Sequence, residues 1–180
     1  SALISLSDLG DPEIRDCKSG RWWENTPHRA LANNSAVYDQ KPSMAVFMDE
    51  WTALMKSGSG ERGIYNRGGA REMAPERREG DRIVGCNPCA EIQLRSGQLC
   101  NLTEVVARQG DTVEDLVRKV RLATILGTLQ ASLTDFKYVR KIWQKNCEEE
   151  ALLGVSLTGI QDCEHLQNPD PSLLERLKWE

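Results

Sequence analysis

Residues 85–102 read GCNPCAEIQLRSGQLCNL and hold three of the six cysteines: Cys86, Cys89 and Cys100. Three kinds of chemistry suit such a cluster. Three thiolates can bind zinc, but a structural zinc site is closed by a fourth ligand, and the only histidines, His28 and His165, stand alone. Cys86 and Cys89 form a C-x-x-C pair that can act as a redox dithiol. That motif normally opens a helix, which lowers a thiol pKa, whereas the AEIQL that runs on from Cys89 reads as a strand or an exposed loop. The third reading takes in the polar neighbours. Asn87, Cys89 and Glu91 alternate, so in an extended segment all three side chains project to one face. A thiol, a carboxylate and an amide then converge on one small substrate. The carboxylate can move a proton from a substrate hydroxyl, the amide can hold that oxygen, and the sulfur can do covalent or radical chemistry. Cys100, eleven positions after Cys89, could return on a neighbouring strand as a redox thiol.

Composition limits the setting. The chain has 180 residues, enough for one domain with a real core, and 39% of them are hydrophobic. Net charge is -4 and the basic residues are spread out, which argues against a nucleic-acid partner. No apolar run is long enough to cross a bilayer, so no membrane is expected. The cysteines are too sparse and uneven for a secreted disulfide scaffold, and a reducing cytoplasm is the default.

The elements that must position the cluster follow from caps and periodicity. Ser1 to Leu6 reads as a strand. Asp11 caps a short helix that begins at Pro12 and ends by Gly20. Lys18 to Pro27 reads as a polar loop with two tryptophans, followed by a short strand at Ser35 to Tyr38. Ser43 caps a helix that runs to Lys56, and SGSGERG ends it as a turn. Residues 66–82 read as a charged surface loop, with Arg71, Arg77 and Arg78 on a solvated face. Thr112, with Asp115 three positions on, caps the longest helix, to about Leu133. Its stripe of Leu116, Val120, Ala123, Leu126, Leu129 and Leu133 reads as core. A second helix is expected from Asp135 to Glu150, a buried strand from Leu152 to Leu157, and a final helix in DPSLLERLKWE. Cys147 and Cys163 read as buried small hydrophobes. Strands alternating with helices imply an α/β fold with a largely parallel sheet of four or five strands.

NPCAEI followed by LCNLTEV resembles the active-site segment of ribonucleotide reductases, most closely the adenosylcobalamin-dependent ribonucleoside-triphosphate reductases. WWENTPHRALANNSAVY, SGSGERGIYNRGGA, KVRLATILGTLQASLTDF and EEEALLGVSLTGI resemble consecutive blocks of the same proteins, in order. The N-x-C-x-E pattern alone is a weak match; with the flanking blocks it is strong.

The resemblance implies a ten-stranded α/β barrel, of which residues 1–180 form the central part, with a finger loop at its centre. It implies that Cys89 carries the thiyl radical that abstracts hydrogen from the ribose 3′ carbon, that Glu91 takes the 3′-hydroxyl proton, and that Asn87 holds the ribose. Cys100 becomes half of the reducing pair. Its partner is expected on a strand before Ser1, as most cobalamin contacts are expected outside the chain. Lys18 and Arg21 fall where the family places the loop linking effector to base choice; Asn33, Asn34 and Ser35 are candidates to line the site. The implied partners are a ribonucleoside di- or triphosphate, dNTP and ATP effectors, a thioredoxin-like reductant and the rest of the reductase. Cys86 stands where the family commonly has Thr or Ser and is read as incidental. The competing reading is a non-catalytic fragment, active only with complementary chains.

Overall fold

The structure, a computed structural model, describes residues 3–58 and 60–180, with only the backbone of Leu3. Ser1 and Ala2 of the expected first strand, and Ser59 of the SGSGERG turn, lie outside the described residues. The chain divides into two compact units, residues 1–96 and 97–180.

The first unit is built on a three-stranded parallel sheet. Strand β1 (Leu3–Asp8) leads to the short helix α1 (Pro12–Arg15). There Asp11 accepts the Ile14 N–H at 3.1 Å, the cap its position suggests. A one-turn helix α2 (Trp22–Asn25) and a 3-10 turn (Pro27–Leu31) occupy what reads in sequence as an open loop. Strand β2 (Ala32–Tyr38) runs between β1 and β3 (Gly63–Asn66), parallel to both, with Leu3 opposite Ala32 and Ser35 opposite Gly63. As the central strand, β2 is buried continuously from Asn34 to Tyr38. Helix α3 (Met44–Ser57) links β2 to β3, capped by Ser43, which accepts the Val46 N–H at 3.3 Å.

One tie was invisible in the sequence. Arg62 and Glu50 form a buried ion pair at 2.7 Å, and Arg62 also donates to Ser7 Oγ at 2.9 Å and Asp8 O at 3.1 Å. It fastens α3 to the end of β1. Leaving either charge without its partner costs about 3–5 kcal/mol.

Residues 66–82 are not the expected loop. Helix α4 (Arg67–Glu72) begins where Asn66 Oδ1 accepts the Gly69 N–H at 2.8 Å, and two 3-10 turns follow (Glu76–Arg78, Gly80–Arg82). The expected arginine face is also corrected. Arg71 donates to Ile83 O at 2.9 Å, and Arg78 is buried and donates to Gln93 O at 2.7 Å. Only Arg77 of the three is exposed. Backbone carbonyls of a packed hairpin draw these guanidinium groups inward, a long-range demand that a run of charge does not reveal. That hairpin, β4 (Ile83–Cys86) with β5 (Gln93–Arg95), is antiparallel.

The second unit pairs β6 (Asn101–Val106) with β7 (Leu153–Thr158) in parallel. Between them in the chain lie α5 (Val113–Ala131) and α6 (Lys141–Glu150); α7 (Glu164–Gln167) and α8 (Pro171–Trp179) follow β7. Thr112 and Asp115 make the expected capping box. Leu116, Val120 and Ala123 of the α5 stripe enter a core with Val105, Ala107, Cys163, Leu166, Leu173 and Leu177. Gly127 lets α5 approach β7, because a Cβ there would meet Leu153 Cδ1 at 2.1 Å. The stripe is covered only in its first half: Leu126, Leu129 and Leu133 are 62%, 62% and 68% exposed. The helix expected from Asp135 begins only at Lys141. Cys147 and Cys163 are buried, as expected.

The architecture is therefore mixed α/β, with seven described strands in three sheets rather than four or five in one. The described residues form no closed barrel. No described helix is long and apolar enough to cross a membrane.

Candidate active site

Cys89 sits in a tight turn at the tip of the β4–β5 hairpin, not in an extended strand. The Ala90 N–H donates to Asn87 O at 2.9 Å and the Asn87 N–H to Ile92 O at 3.1 Å. This is a β-turn over Asn87–Ala90 with proline at its second position. Cys89 is not among the positive-φ residues, which makes the turn type I; Ala90 follows in the left-handed region at φ 66°. Pro88 thus makes the turn rather than merely interrupting a strand, since its fixed φ suits that position.

The turn joins two of the three expected groups directly. Asn87 Nδ2 donates to Glu91 Oε1 at 2.5 Å, and Asn87 Oδ1 accepts the Ile92 N–H at 3.0 Å. Alternation along a strand is replaced by chain reversal. The Cys89 side chain is exposed at the bend between them. Cys86 packs instead with Val37 and Tyr65 in the core. Burial pushes the Cys86 thiol up, and the Glu91 charge adds to it. The C-x-x-C residues therefore sit in opposite environments, and a strand, not a helix, follows Cys89. Among the described residues no three His, Cys, Asp or Glu side chains group as a metal site.

Of the weaker candidates, Asn33 reaches the turn: its Nδ2 donates to Pro88 O at 3.3 Å. Lys18 is buried and commits its ammonium to Ala32 O at 2.5 Å and Glu61 Oε1 at 2.7 Å, over the Trp22 ring at 5.0 Å. Asn34 shares that carboxylate through its N–H, at 3.2 Å from Glu61 Oε2, and its amide donates to Cys17 Sγ at 2.8 Å. Lys18, Asn34 and Glu61 thus latch the segment before α2 onto the central strand. Ser35 is buried in β2. Arg21 is exposed beside Glu24, at 3.5 Å.

Cys100 belongs to the second unit, half-buried just before β6. The residues leading to it are held by α6. Asn146 Nδ2 donates to Gly97 O at 3.0 Å, and Gln98 Nε2 donates to the Glu150 carboxylate and, at 3.4 Å, to Asn146 O. The Leu99 N–H donates to Cys147 Sγ at 3.5 Å. Gln98, Asn146 and Glu150 are all buried.

Sequence reasoning missed these three residues, and Tyr65 and Gln93 as well. The spacing of Asn146 and Glu150 along one helix face was visible, but inside QKNCEEEA it reads as a solvated face. Gln93 sits among apolar residues in EIQL, a signal for a partnered polar group that was available.

No family model matches the chain. It is similar to the adenosylcobalamin-dependent ribonucleoside-triphosphate reductase of Levilactobacillus brevis, with 34% identity over 146 residues, 75% of this chain and 18% of that protein. The protein of the same name from Lacticaseibacillus paracasei is 31% identical over 169 residues, 90% of this chain and 21% of that protein. That of Lactobacillus acidophilus is 39% identical over 87 residues, 46% of this chain and 11% of that protein. The chain spans about a fifth of the length of the first two relatives. Over most of its own length, the chain is thus related to one segment of the adenosylcobalamin-dependent ribonucleoside-triphosphate reductases.

Proposed function

We propose that residues 1–180 form the central part of the catalytic barrel of a ribonucleotide reductase, with the Asn87–Glu91 turn as its finger loop. The observation that carries this reading is the exposed Cys89 thiol at a tight bend, beside a carboxylate held by an amide at 2.5 Å. The substrate is a ribonucleoside triphosphate or diphosphate, the setting is cytoplasmic, and dNTP or ATP effectors act through the segment containing Lys18 and Arg21.

Adenosylcobalamin, the cofactor in the relatives' name, supplies the one-electron chemistry that converts a thiol to a thiyl radical. The exposed Cys89 side chain suits the receiving end of that chemistry. The Cys89 sulfur takes a hydrogen atom from the ribose 3′ carbon. Glu91 accepts the 3′-hydroxyl proton. Asn87 spends one amide hydrogen on Glu91 and keeps the other for a ribose oxygen. Cys100 is half of a dithiol whose two electrons and two protons go to the sugar as the 2′ oxygen leaves in water. A thioredoxin-like reductant restores the dithiol.

The test is Cys89→Ser in the reductase polypeptide that carries this segment. Deoxyribonucleotide formation is expected to cease while nucleotide binding persists. Turnover by Cys89→Ser sinks the reading.

A second reading, a segment active only with complementary chains, is favoured by the exposed Leu126 and Leu129 of α5 and Leu133 just past its end. Sedimentation of the pure chain tests it. A monomer with a cooperative melt counts against it.

A further inference from the structure

Cys89 lies in an exposed turn, yet a thiol that must meet one particular C–H bond needs a fixed position. We infer that Asn33 and Gln93 are positioning residues for Cys89: two side-chain amides that grip the backbone carbonyls on either side of it. The inference rests on the reading of Cys89 given under the proposed function.

The geometry is specific. Asn33 Nδ2, from the start of β2, donates to Pro88 O at 3.3 Å. Gln93 Nε2, from β5, donates to Ala90 O at 3.1 Å. Pro88 and Ala90 are the two neighbours of Cys89. A carbonyl only accepts, so each amide must turn its nitrogen toward the turn. Gln93 is held in that orientation from behind. Its Oε1 lies 2.5 Å from the buried Tyr65 hydroxyl, which also reaches Gly85 O at 3.2 Å. A relay therefore runs from Tyr65 in β3, through Gln93, to Ala90.

The bonds serve position more than folding. Asn33 and Ala90 are exposed, so water can replace either contact at little cost. Ala90 also sits at φ 66°, a conformation L-residues resist, and the Gln93 bond opposes its relaxation. Displacing a reacting group by about 1 Å costs on the order of 100-fold in rate.

The experiment uses Gln93→Met and Asn33→Ala in the reductase polypeptide that carries this segment. Four quantities are read: kcat, KM, melting temperature, and hydrogen exchange at the Ala90 N–H. The expected result is a fall in kcat of about 10- to 100-fold with KM within about twofold. Ala90 exchange rises about tenfold or more, selectively, with the melting temperature changed by less than about 4 °C. Wild-type kcat and wild-type Ala90 exchange in both variants overturn the inference. So does a lowered melting temperature with faster exchange throughout the first unit, which marks a structural role only. If the unmutated protein reduces no ribonucleotide while the variants still loosen Ala90 selectively, the reading of Cys89 falls and the positioning of the turn stands.

Discussion

The turn around Cys89 and the segment before Cys100 are held by opposite physical means. The turn is gripped by Asn33 and Gln93 through bonds to backbone atoms of half-buried or exposed residues. The segment is locked to α6 by Gln98, Asn146 and Glu150, all buried. An exposed hydrogen bond is worth about 0.5–1.5 kcal/mol net, because water competes for both partners. A buried polar group that loses its partner costs about 1–3 kcal/mol, because nothing replaces it. The first support sets geometry cheaply. The second is part of what makes the unit fold.

That contrast can be broken in several places. The largest effect is expected at Asn146→Ala, which leaves the Gly97 carbonyl unserved and opens a void at a site 1% exposed. Stability should fall by about 2–3 kcal/mol, read as a lower urea midpoint. A change under about 0.5 kcal/mol would place the second unit's support on the same footing as the first. Ala90→Gly should act in the opposite direction. Relief of the left-handed alanine stabilises by about 0.5–1 kcal/mol, seen as a raised melting temperature, and a drop would mean the strain was misjudged. Gln93→Met should change stability by less than about 1 kcal/mol, well below Asn146→Ala in the same assay.

The pH dependence sharpens the comparison within the first unit. Burial pushes the Tyr65 hydroxyl up, with the Cys86 charge adding to it, and burial likewise pushes up the Cys86 thiol. Both groups ionise more readily in the unfolded chain than in the folded one. Their contribution is whole below the ordinary thiol range and is lost as pH rises through the raised values. The urea midpoint should therefore decline on the alkaline side, and decline less in Tyr65→Phe. An identical alkaline limb in that variant would remove Tyr65 from the account.

Three helix caps were legible because their physics is short-range, although the equally local Asn66 cap of α4 was not read. Asp11, Ser43 and Thr112 cap the helices their positions suggested, because a cap bond spans three residues. Burial was less legible. The α5 stripe has one periodicity along its length, yet only its first half finds a core within this unit. Arg78 carries the same charge as Arg77 and is buried, because Gln93 O in β5 needs a donor.

The sequence by itself determined which groups stand together: Asn87, Cys89 and Glu91 lie within five positions, and the flanking motifs carry the resemblance to the reductases. The extended segment expected for them is instead a tight turn, which the fixed φ of Pro88 suits. Only the tertiary structure decided what holds that turn. Asn33 lies 55 positions from Pro88 and Tyr65 lies 28 from Gln93. Contacts at that separation exist because the β4–β5 hairpin packs Cys86 against Val37 and Tyr65 of the parallel sheet, and no local pattern encodes which side chains that packing will bring into reach.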